Sequence, residues 1–551
     1  MFMRMSMGLS VHRVKDNLKS IFADTPFMSA IFSNRFVLSL STGLLLWFSW
    51  SPSGLAPLLF IAWVPLLLLE QKYFEDNTLK KKSLFGYVYL SFVVWNVLTT
   101  WWVYFASDWG SLVAFLVNSL FMTSAFMLFH FTHCRIKKNW VYFSLPVYWI
   151  AFEFLHLNWE LSWPWLTLGN GFAAYAPLVQ WYEFTGALGG SLWVLEINIL
   201  IASIIITKNK KEIWKPVAFI AVPIIFSLLI YFNYKEKTNP VNVVVVQPNV
   251  DPYNDKFSGM SNEEQLAKIL RLGFEKITDS TQYLVAPETA IPYSMWEDRL
   301  EEYEVINTLR KILEQFPKLK IVIGASTNYA YINGEPPSAT ARLIKKENVY
   351  YDSYNTALQI EKDKPIQIFH KSKLVPGVER MPYPSIFGFL ENLAIDLGGT
   401  AGSLGTQPHP TVFSSNENII ASVICYESIY GSYVSEYINK NASLIFIITN
   451  DGWWKDTPGY KQHLQYARLR AIEMRRSIAR SANTGISAFI NQRGDIDKPT
   501  KWWQEDVIAA SINKNEGLTF YAKYGDYIGV IAVVFTPLFL LMTIVKKQHT
   551  L

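Results

Sequence analysis

Ile419-Ile420-Ala421-Ser422-Val423-Ile424-Cys425-Tyr426-Glu427 is a short apolar, β-branched run that closes on a thiol and an acid. A run of this length, bounded by polar residues, reads as a buried strand whose last residues fall at a strand end. Only one other cysteine, Cys134, occurs in the chain. The topology expected below puts it on the opposite side of a membrane, so the two do not pair. An unpartnered thiol in an oxidising compartment is a liability unless its reactivity is used.

Around this run, residues 240–515 read as an α/β domain. Strands are expected at Val241–Val246, Gln282–Val285, Lys320–Gly324, Thr340–Ile344, Ile366–Phe369, Ile419–Cys425 and Ser443–Ile448. Helices are expected at Asn262–Asp279, Glu301–Gln315 and Gln462–Ser481. Alternation of this kind implies a central sheet covered by helices.

Outside that region the chain changes character. Half of the 551 residues are hydrophobic, with 20 Trp, 29 Tyr and 36 Phe, yet the mean hydropathy is only +0.14, so two unlike regions are averaged. Eight apolar segments are long enough to be read as spans of a bilayer, near 36–51, 54–70, 83–105, 110–132, 140–157, 187–207, 215–233 and 526–545. The expected organisation is a cytoplasmic segment at 1–35, a membrane domain with seven spans at 36–235, the α/β domain at 240–515, and an eighth span at 526–545. The chain opens on a mixed, basic stretch and reaches its first apolar run near Phe36, unlike a cleavable signal peptide.

Charge chooses the orientation. Arg13, Lys15, Lys19 and Arg35 precede the first span, and Lys80, Lys81 and Lys82 follow the second. Arg135, Lys137 and Lys138 follow the fourth, Lys208, Lys210 and Lys211 the sixth, and Lys546 and Lys547 the eighth. With eight crossings every cluster falls on one side, which gives cytoplasmic termini and an extracytoplasmic α/β domain. The net charge of +5 is small for this length, and membrane orientation explains the clustering of lysines and arginines beside apolar spans better than nucleic-acid binding does. The Trp-rich loop Asn158–Gly190 belongs on the face of the α/β domain, either as an interfacial aromatic belt or as an arm bordering a lipid-accessible cavity. His130, His133 and Cys134 have helical spacing, but the sequence offers them no fourth ligand, so no metal is expected.

Glu288 follows the strand at 282–285, Lys371 the strand at 366–369, and Cys425 ends its own. Each alone has an ordinary reading: a loop acid, a surface lysine, a small core side chain. In open α/β sheets, however, ligands bind outside the carboxyl ends of strands, where an acid, an amine and a thiol can converge.

Taken together, these residues resemble the nitrilase superfamily, with its Glu-Lys-Cys triad at strand ends, and more closely its membrane-embedded branch, the apolipoprotein N-acyltransferases. Val246-Gln247-Pro248-Asn249-Val250, Pro287-Glu288-Thr289-Ala290 and Lys371-Ser372-Lys373-Leu374-Val375-Pro376 carry the resemblance, with Ile424-Cys425-Tyr426-Glu427. Thr449-Asn450-Asp451-Gly452-Trp453-Trp454 and Gln462-His463-Leu464-Gln465 extend it, with Ala467-Arg468 and Arg470-Ala471-Ile472-Glu473. Two departures fall in one loop: Lys373 where the family usually has His, and Gly377-Val378 where it has Phe-Gly. The resemblance implies an αββα sandwich on an eight-helix membrane bundle in the bacterial inner membrane, with the catalytic domain in the periplasm.

The same resemblance implies phospholipid-dependent N-acylation of the diacylglyceryl-cysteine that begins an apolipoprotein. Catalysis would fall to Glu288 as base, Lys371 at the oxyanion and Cys425 as nucleophile, through a thioester and without a cofactor. Glu379, Tyr426, Glu427, Glu473 and Asn355 are expected to support the triad. Trp453, Trp454, Phe387 and Phe389 are candidates for acyl-chain contact, and the loops Val375–Pro410 and Gly452–Tyr460 for lids. Burial is expected to raise the carboxyl pKa of Glu288. The rival readings are a tethered amidase using water as acceptor and a non-catalytic lipoprotein-binding paralogue.

Overall fold

The computed structural model describes residues 34–545 apart from 53, 77, 257–258, 333–334, 336 and 384–402. Phe387, Phe389 and much of the loop 375–410 therefore lie outside the described residues.

The N-terminal region is helical. Among the described residues, six helices are long and apolar enough to cross a membrane: Ala56–Glu75, Lys81–Phe105, Asp108–Ile136, Tyr182–Thr207, Lys210–Asn233 and Tyr527–Val545. Two of the eight expected segments form shorter helices, Arg35–Ser49 with 15 residues and Ser144–Leu157 with 14. At 1.5 Å per residue they extend roughly 21–23 Å, short of a hydrocarbon core of about 30 Å. Asn34 starts the first of them by accepting from the backbone of Phe36 at 2.9 Å. Small side chains then let it approach Lys81–Thr100 closely: a Cβ on Gly43 would lie 2.6 Å from the Ser91 carbonyl.

Glu70, fully buried, supplies the acid that the sequence does not show beside His130 and His133. Its Oε1 lies 2.7 Å from Nδ1 of His130 and 3.1 Å from Nδ1 of His133. Buried charge of this kind persists in a membrane only when it is paired.

The α/β domain has fourteen strands among the described residues: β1 (Pro240–Gln247), β2 (Tyr283–Val285), β3 (Ile291–Trp296), β4 (Lys320–Tyr331), β5 (Arg342–Ile344), β6 (Val349–Glu361), β7 (Gln367–His370), β8 (Phe413–Ser414), β9 (Ile419–Ile424), β10 (Leu444–Thr449), β11 (Ile478–Ala482), β12 (Ala488–Ile490), β13 (Ile496–Asp497) and β14 (Asp506–Asn513). They make two sheets. One runs β14-β1-β2-β4-β6-β5, with β3 beside β4 and β7 beside β6; the other runs β13-β12-β11-β10-β9-β8.

The two-residue period of a strand explains the layering. Val244, Val246 and Leu284 share one core with Ile269 and Leu272 of the helix Asn262–Phe274 and with Ile306 and Leu309 of Glu304–Gln315. Val243, Val245, Tyr283 and Val285 point the other way and pack with the second sheet, where the Tyr283 and Phe446 rings meet at 5.1 Å. Helices Gly431–Asn439 and Pro458–Met474 cover the outer face of that sheet. The order is helix, sheet, sheet, helix.

Pro458–Met474 is buried almost all round, because the membrane helices pack on its outer side. Trp50 donates to the Tyr466 hydroxyl at 2.9 Å, that hydroxyl donates to the Trp165 carbonyl at 2.7 Å, and Gln462 donates to the Ser51 carbonyl at 2.9 Å. The Trp-rich loop is therefore less a lipid-facing belt than part of this joint: Trp165, Leu166, Leu168 and Tyr182 are buried in protein.

Candidate active site

Cys425 sits where β9 turns into the short helix Cys425–Ile429, with a φ of 51°. A left-handed backbone is costly for a side chain with a Cβ, and the surroundings must hold it in place. They do so through the Cys425 carbonyl, which accepts from Ser428 Oγ at 2.7 Å and lies 3.2 Å from Nε2 of His463. Glu427 fixes the same elbow to the lysine loop. Its Oε2 accepts from Ile424 N at 2.9 Å; its Oε1 accepts from Ser372 N at 2.6 Å, Lys373 N at 3.2 Å and Tyr433 OH at 3.0 Å.

Glu288 and Lys371 meet between the two sheets' strand ends. Lys371 Nζ donates to Glu288 Oε1 at 3.0 Å and to Glu379 Oε1 at 2.8 Å. Asn355, on β6, bridges the same two oxygens from its Nδ2 at 2.7 and 3.0 Å, and its backbone carbonyl accepts from Lys371 N at 2.8 Å. The backbone N–H of Asn450, just past β10, donates to Glu288 Oε2 at 3.1 Å. Because β10 pairs with β9, this bond brings the carboxylate to the Cys425 side of the crevice. All three side chains are buried: Cys425 is 7% exposed, Glu288 6% and Lys371 1%.

The electrostatics correct one expectation. Burial pulls the Glu288 carboxyl up, but the Lys371 ammonium, the Asn355 amide and the Lys256 ammonium together hold it below its ordinary value. Burial also opposes the Lys371 charge, yet Glu288 and Glu379 keep that ammonium protonated well above its usual range. Cys425 goes the other way: burial and the Glu288 charge push its thiol far up, against the pull of Lys371. The resting site thus holds a carboxylate, an ammonium and a neutral thiol. Such a thiol must lose its proton to a base as it attacks, rather than wait as a thiolate.

The remaining expected residues divide. Glu379 and Asn355 touch the lysine directly, and Glu379 Oε2 also accepts from Val375 N at 2.8 Å, shaping its loop. Tyr426 donates to the Ser162 carbonyl at 3.1 Å and so ties the nucleophile's neighbour to the Trp-rich loop. Glu473 does not join the triad. It pairs with Arg470 at 2.7 Å and accepts from Ala187 N at 3.1 Å, at the joint with the membrane helices. Trp454 packs edge-on to Trp102 and Trp165, at 4.8 and 5.5 Å, in a ring cluster that reaches Tyr426. Trp453 turns away to Tyr253, at 5.5 Å.

A third shell of chemistry lies beneath the elbow. Cys425, Asp451 and His463 bring a thiol, a carboxylate and an imidazole within 4.8 Å of one another. Asp451 is already engaged by His463 at 3.0 Å, Arg480 at 2.7 Å and Thr449 at 2.9 Å, which makes it a support and a poor metal ligand. In the sequence, Asn450-Asp451 and His463 stand only within motifs that extend the resemblance. None of them has a role there, because nothing in the spacing shows that helix Pro458–Met474 leans on the elbow.

Comparison with known proteins agrees with this architecture. The apolipoprotein N-acyltransferase N-terminal domain family matches residues 42–200, and the carbon-nitrogen hydrolase family matches residues 243–517. The apolipoprotein N-acyltransferase of Chlorobaculum tepidum is 30% identical over 95% of this chain and 98% of its own. That of Haemophilus influenzae is 24% identical over 97% and 99%. A solved nitrilase-superfamily protein from Saccharomyces cerevisiae, Nit3, covers 53% of this chain and 95% of its own at 17% identity, with a TM-score of 0.35. With full-length relatives at this identity and both halves matched, the chain belongs to the apolipoprotein N-acyltransferase family and is an acyltransferase.

Proposed function

We propose that this enzyme takes an acyl chain from a membrane phospholipid and places it on the α-amine of an apolipoprotein's diacylglyceryl-cysteine, through a thioester on Cys425. Glu288 accepts the Sγ proton as sulfur attacks the donor's ester carbonyl. Lys371 faces the oxyanion that forms, a contribution of about 2.7–4 kcal/mol for one such donor. The proton passes from Glu288 to the departing alkoxide, a lysophospholipid leaves, and the acyl chain stays on sulfur. The incoming amine then attacks, Glu288 takes a proton from its nitrogen, and the C–S bond breaks as that proton returns to Sγ. The product is an amide and the thiol is restored.

The observation that carries this reading is the contact of Lys371 with Glu288 beside a neutral, buried Cys425. The burial of all three suits a thioester that must outlast contact with water. The joint with the membrane helices suits two lipid-anchored substrates. The lysine and arginine clusters support an orientation with eight crossings, counting the two shorter helices, with both termini in the cytoplasm and the catalytic domain outside it. For a bacterial chain this is the inner membrane, with residues 36–235 and 526–545 in the bilayer and 240–515 in the periplasm.

The test is to incubate purified enzyme with phospholipid alone and measure the intact mass, then to add a diacylated lipopeptide. An acyl-sized increase on the Cys425 peptide, discharged to the lipopeptide amine, is expected. Free fatty acid with unmodified lipopeptide would instead mark a hydrolase.

A further inference from the structure

Behind the general base lies a second buried amine that the triad does not use. Lys256 is 3% exposed, on the loop that follows β1. Its Nζ donates to the Glu288 carbonyl at 3.3 Å and to the Thr289 hydroxyl in a short contact. That turn needs holding. Thr289 has a φ of 45°, a left-handed backbone at a β-branched residue, where strain is greatest. On its other side β4 presses close: Gly324 donates to the Pro287 carbonyl at 3.1 Å, and a Cβ on Gly324 would lie 2.5 Å from Thr289 N.

Lys256 is itself held firmly. Its N–H donates to the Asp251 carbonyl at 2.9 Å, and its carbonyl accepts from Gln265 Nε2 at 2.9 Å. Gln265 lies on Asn262–Phe274, whose start is fixed by a Ser261–Glu264 capping box. Lys256 and Glu288 line one small cavity together with Val250, Gln265 and Asn483. Burying an ammonium is costly, and such a charge is kept where a partner of opposite sign needs it.

We propose that Lys256 is a positioning residue for Glu288: it clamps the strained Glu288–Thr289 turn from behind and keeps the carboxylate ionised and aimed at Cys425. This rests on the reading of Glu288 as the base that deprotonates the thiol. The groups packed around that carboxylate are Lys371 and Asn355, the Asn450 N–H, the Cys425 thiol and Lys256, with Glu379 beyond Lys371. Burial lowers the Lys256 pKa to about 8, with Glu288 opposing the shift, so the amine is charged across the acid range in which Glu288 titrates.

The sign follows. Glu288 works as a carboxylate, so the rate of thioester formation falls on the acid side as it takes up a proton. Removing the Lys256 charge raises the Glu288 pKa and moves that limb to higher pH, by about one unit for an opposite charge at this range. The experiment follows thioester formation by intact mass after mixing full-length enzyme with phospholipid, from pH 4 to pH 8. Lys256→Gln is expected to shift the limb upward by about one unit, slowing the reaction several-fold at the acid end near pH 4 and little at pH 7, while Lys256→Arg, which keeps the charge, leaves the limb in place.

An unshifted limb in Lys256→Gln overturns the proposal. If Lys256→Gln fails to fold, a limb in Lys256→Arg displaced by a full unit overturns it equally. Glu288→Gln serves as the control: a thioester forming there at the parental rate would refute the base itself, whereas its loss alongside an unmoved Lys256→Gln limb would refute only the role of Lys256.

Discussion

Replacing Glu427 by Gln removes one charge and changes one oxygen to an amide nitrogen, at the residue that joins nucleophile to lysine. The Glu427 carboxylate accepts from four donors, three on Oε1 and one, Ile424 N, on Oε2. Glutamine retains the three-donor side if its oxygen stays there, and its NH2 then meets the Ile424 N–H. One charge-assisted hydrogen bond is lost and a buried donor is left without a partner, a cost of about 2–3 kcal/mol. The opposite flip loses three bonds and costs more.

The effect on chemistry exceeds the effect on stability. Ser372 N and Lys373 N immediately follow Lys371, and Ile424 N immediately precedes the nucleophile, so slack in this one side chain moves Lys371 and Cys425 apart. A misplacement of about 1 Å is worth roughly a hundredfold in rate. We expect the rate constant for thioester formation to fall about a hundredfold, with the phospholipid concentration giving half the maximal rate unchanged. Intact-mass time courses at several donor concentrations measure both, and thermal unfolding in detergent checks that the variant is folded. A Glu427→Gln enzyme that acylates Cys425 at the parental rate would falsify the idea that this carboxylate holds the site together.

Further tests are simpler. Cys425→Ser should lose acyl transfer altogether, read as absence of both adduct and N-acylated lipopeptide. Lys371→Met should lower kcat/KM by about 10²–10³-fold through loss of oxyanion stabilisation. It also leaves Glu288 and Glu379 without the ammonium between them. Gly324→Ala puts a methyl group 2.5–2.6 Å from the backbone of the Glu288 turn, so activity should fall even though the residue is remote from substrate. Asp451 is held down at about 2 despite burial, by Arg480 and His463. A depressed carboxyl adds stability above its ordinary pKa and loses it as pH falls through the lowered one, here between about pH 4 and 2 and worth about 2 kcal/mol. Asp451→Asn should flatten that acid loss in unfolding scans.

Much of this was legible in the sequence because it depends on local pattern. The strand of Ile419–Ile424 and its terminal thiol follow from an unbroken apolar run, and Glu288 and Lys371 from the punctuation after other runs. Strand β6 was missed for a physical reason. Its thirteen residues include Asp352, Asn355, Thr356 and Gln359, all buried; the partners of the first three come from other strands and loops, so no hydrophobic run announces them. The helix expected to run to Ser481 stops at Met474, where Arg475 adopts a φ of 48° and the chain re-enters the sheet as β11. Glu473 was expected from the resemblance to support the triad, whereas its helix carries His463 toward the site and Glu473, ten positions later, toward the membrane joint. The Glu288 pKa failed as an expectation because only burial was weighed there: the Lys371 ammonium, expected at the oxyanion, also holds the carboxylate down, and Lys256, which no motif points to, adds to it.

The shared interior around Pro458–Met474 has a consequence for descent. One face of this helix steadies the sulfur, and the others are spoken for by tryptophans and carbonyls belonging to bilayer helices. A drifting residue here is judged twice, once by reactivity and once by insertion. A substitution on this helix is therefore felt at the nucleophile and at the joint together.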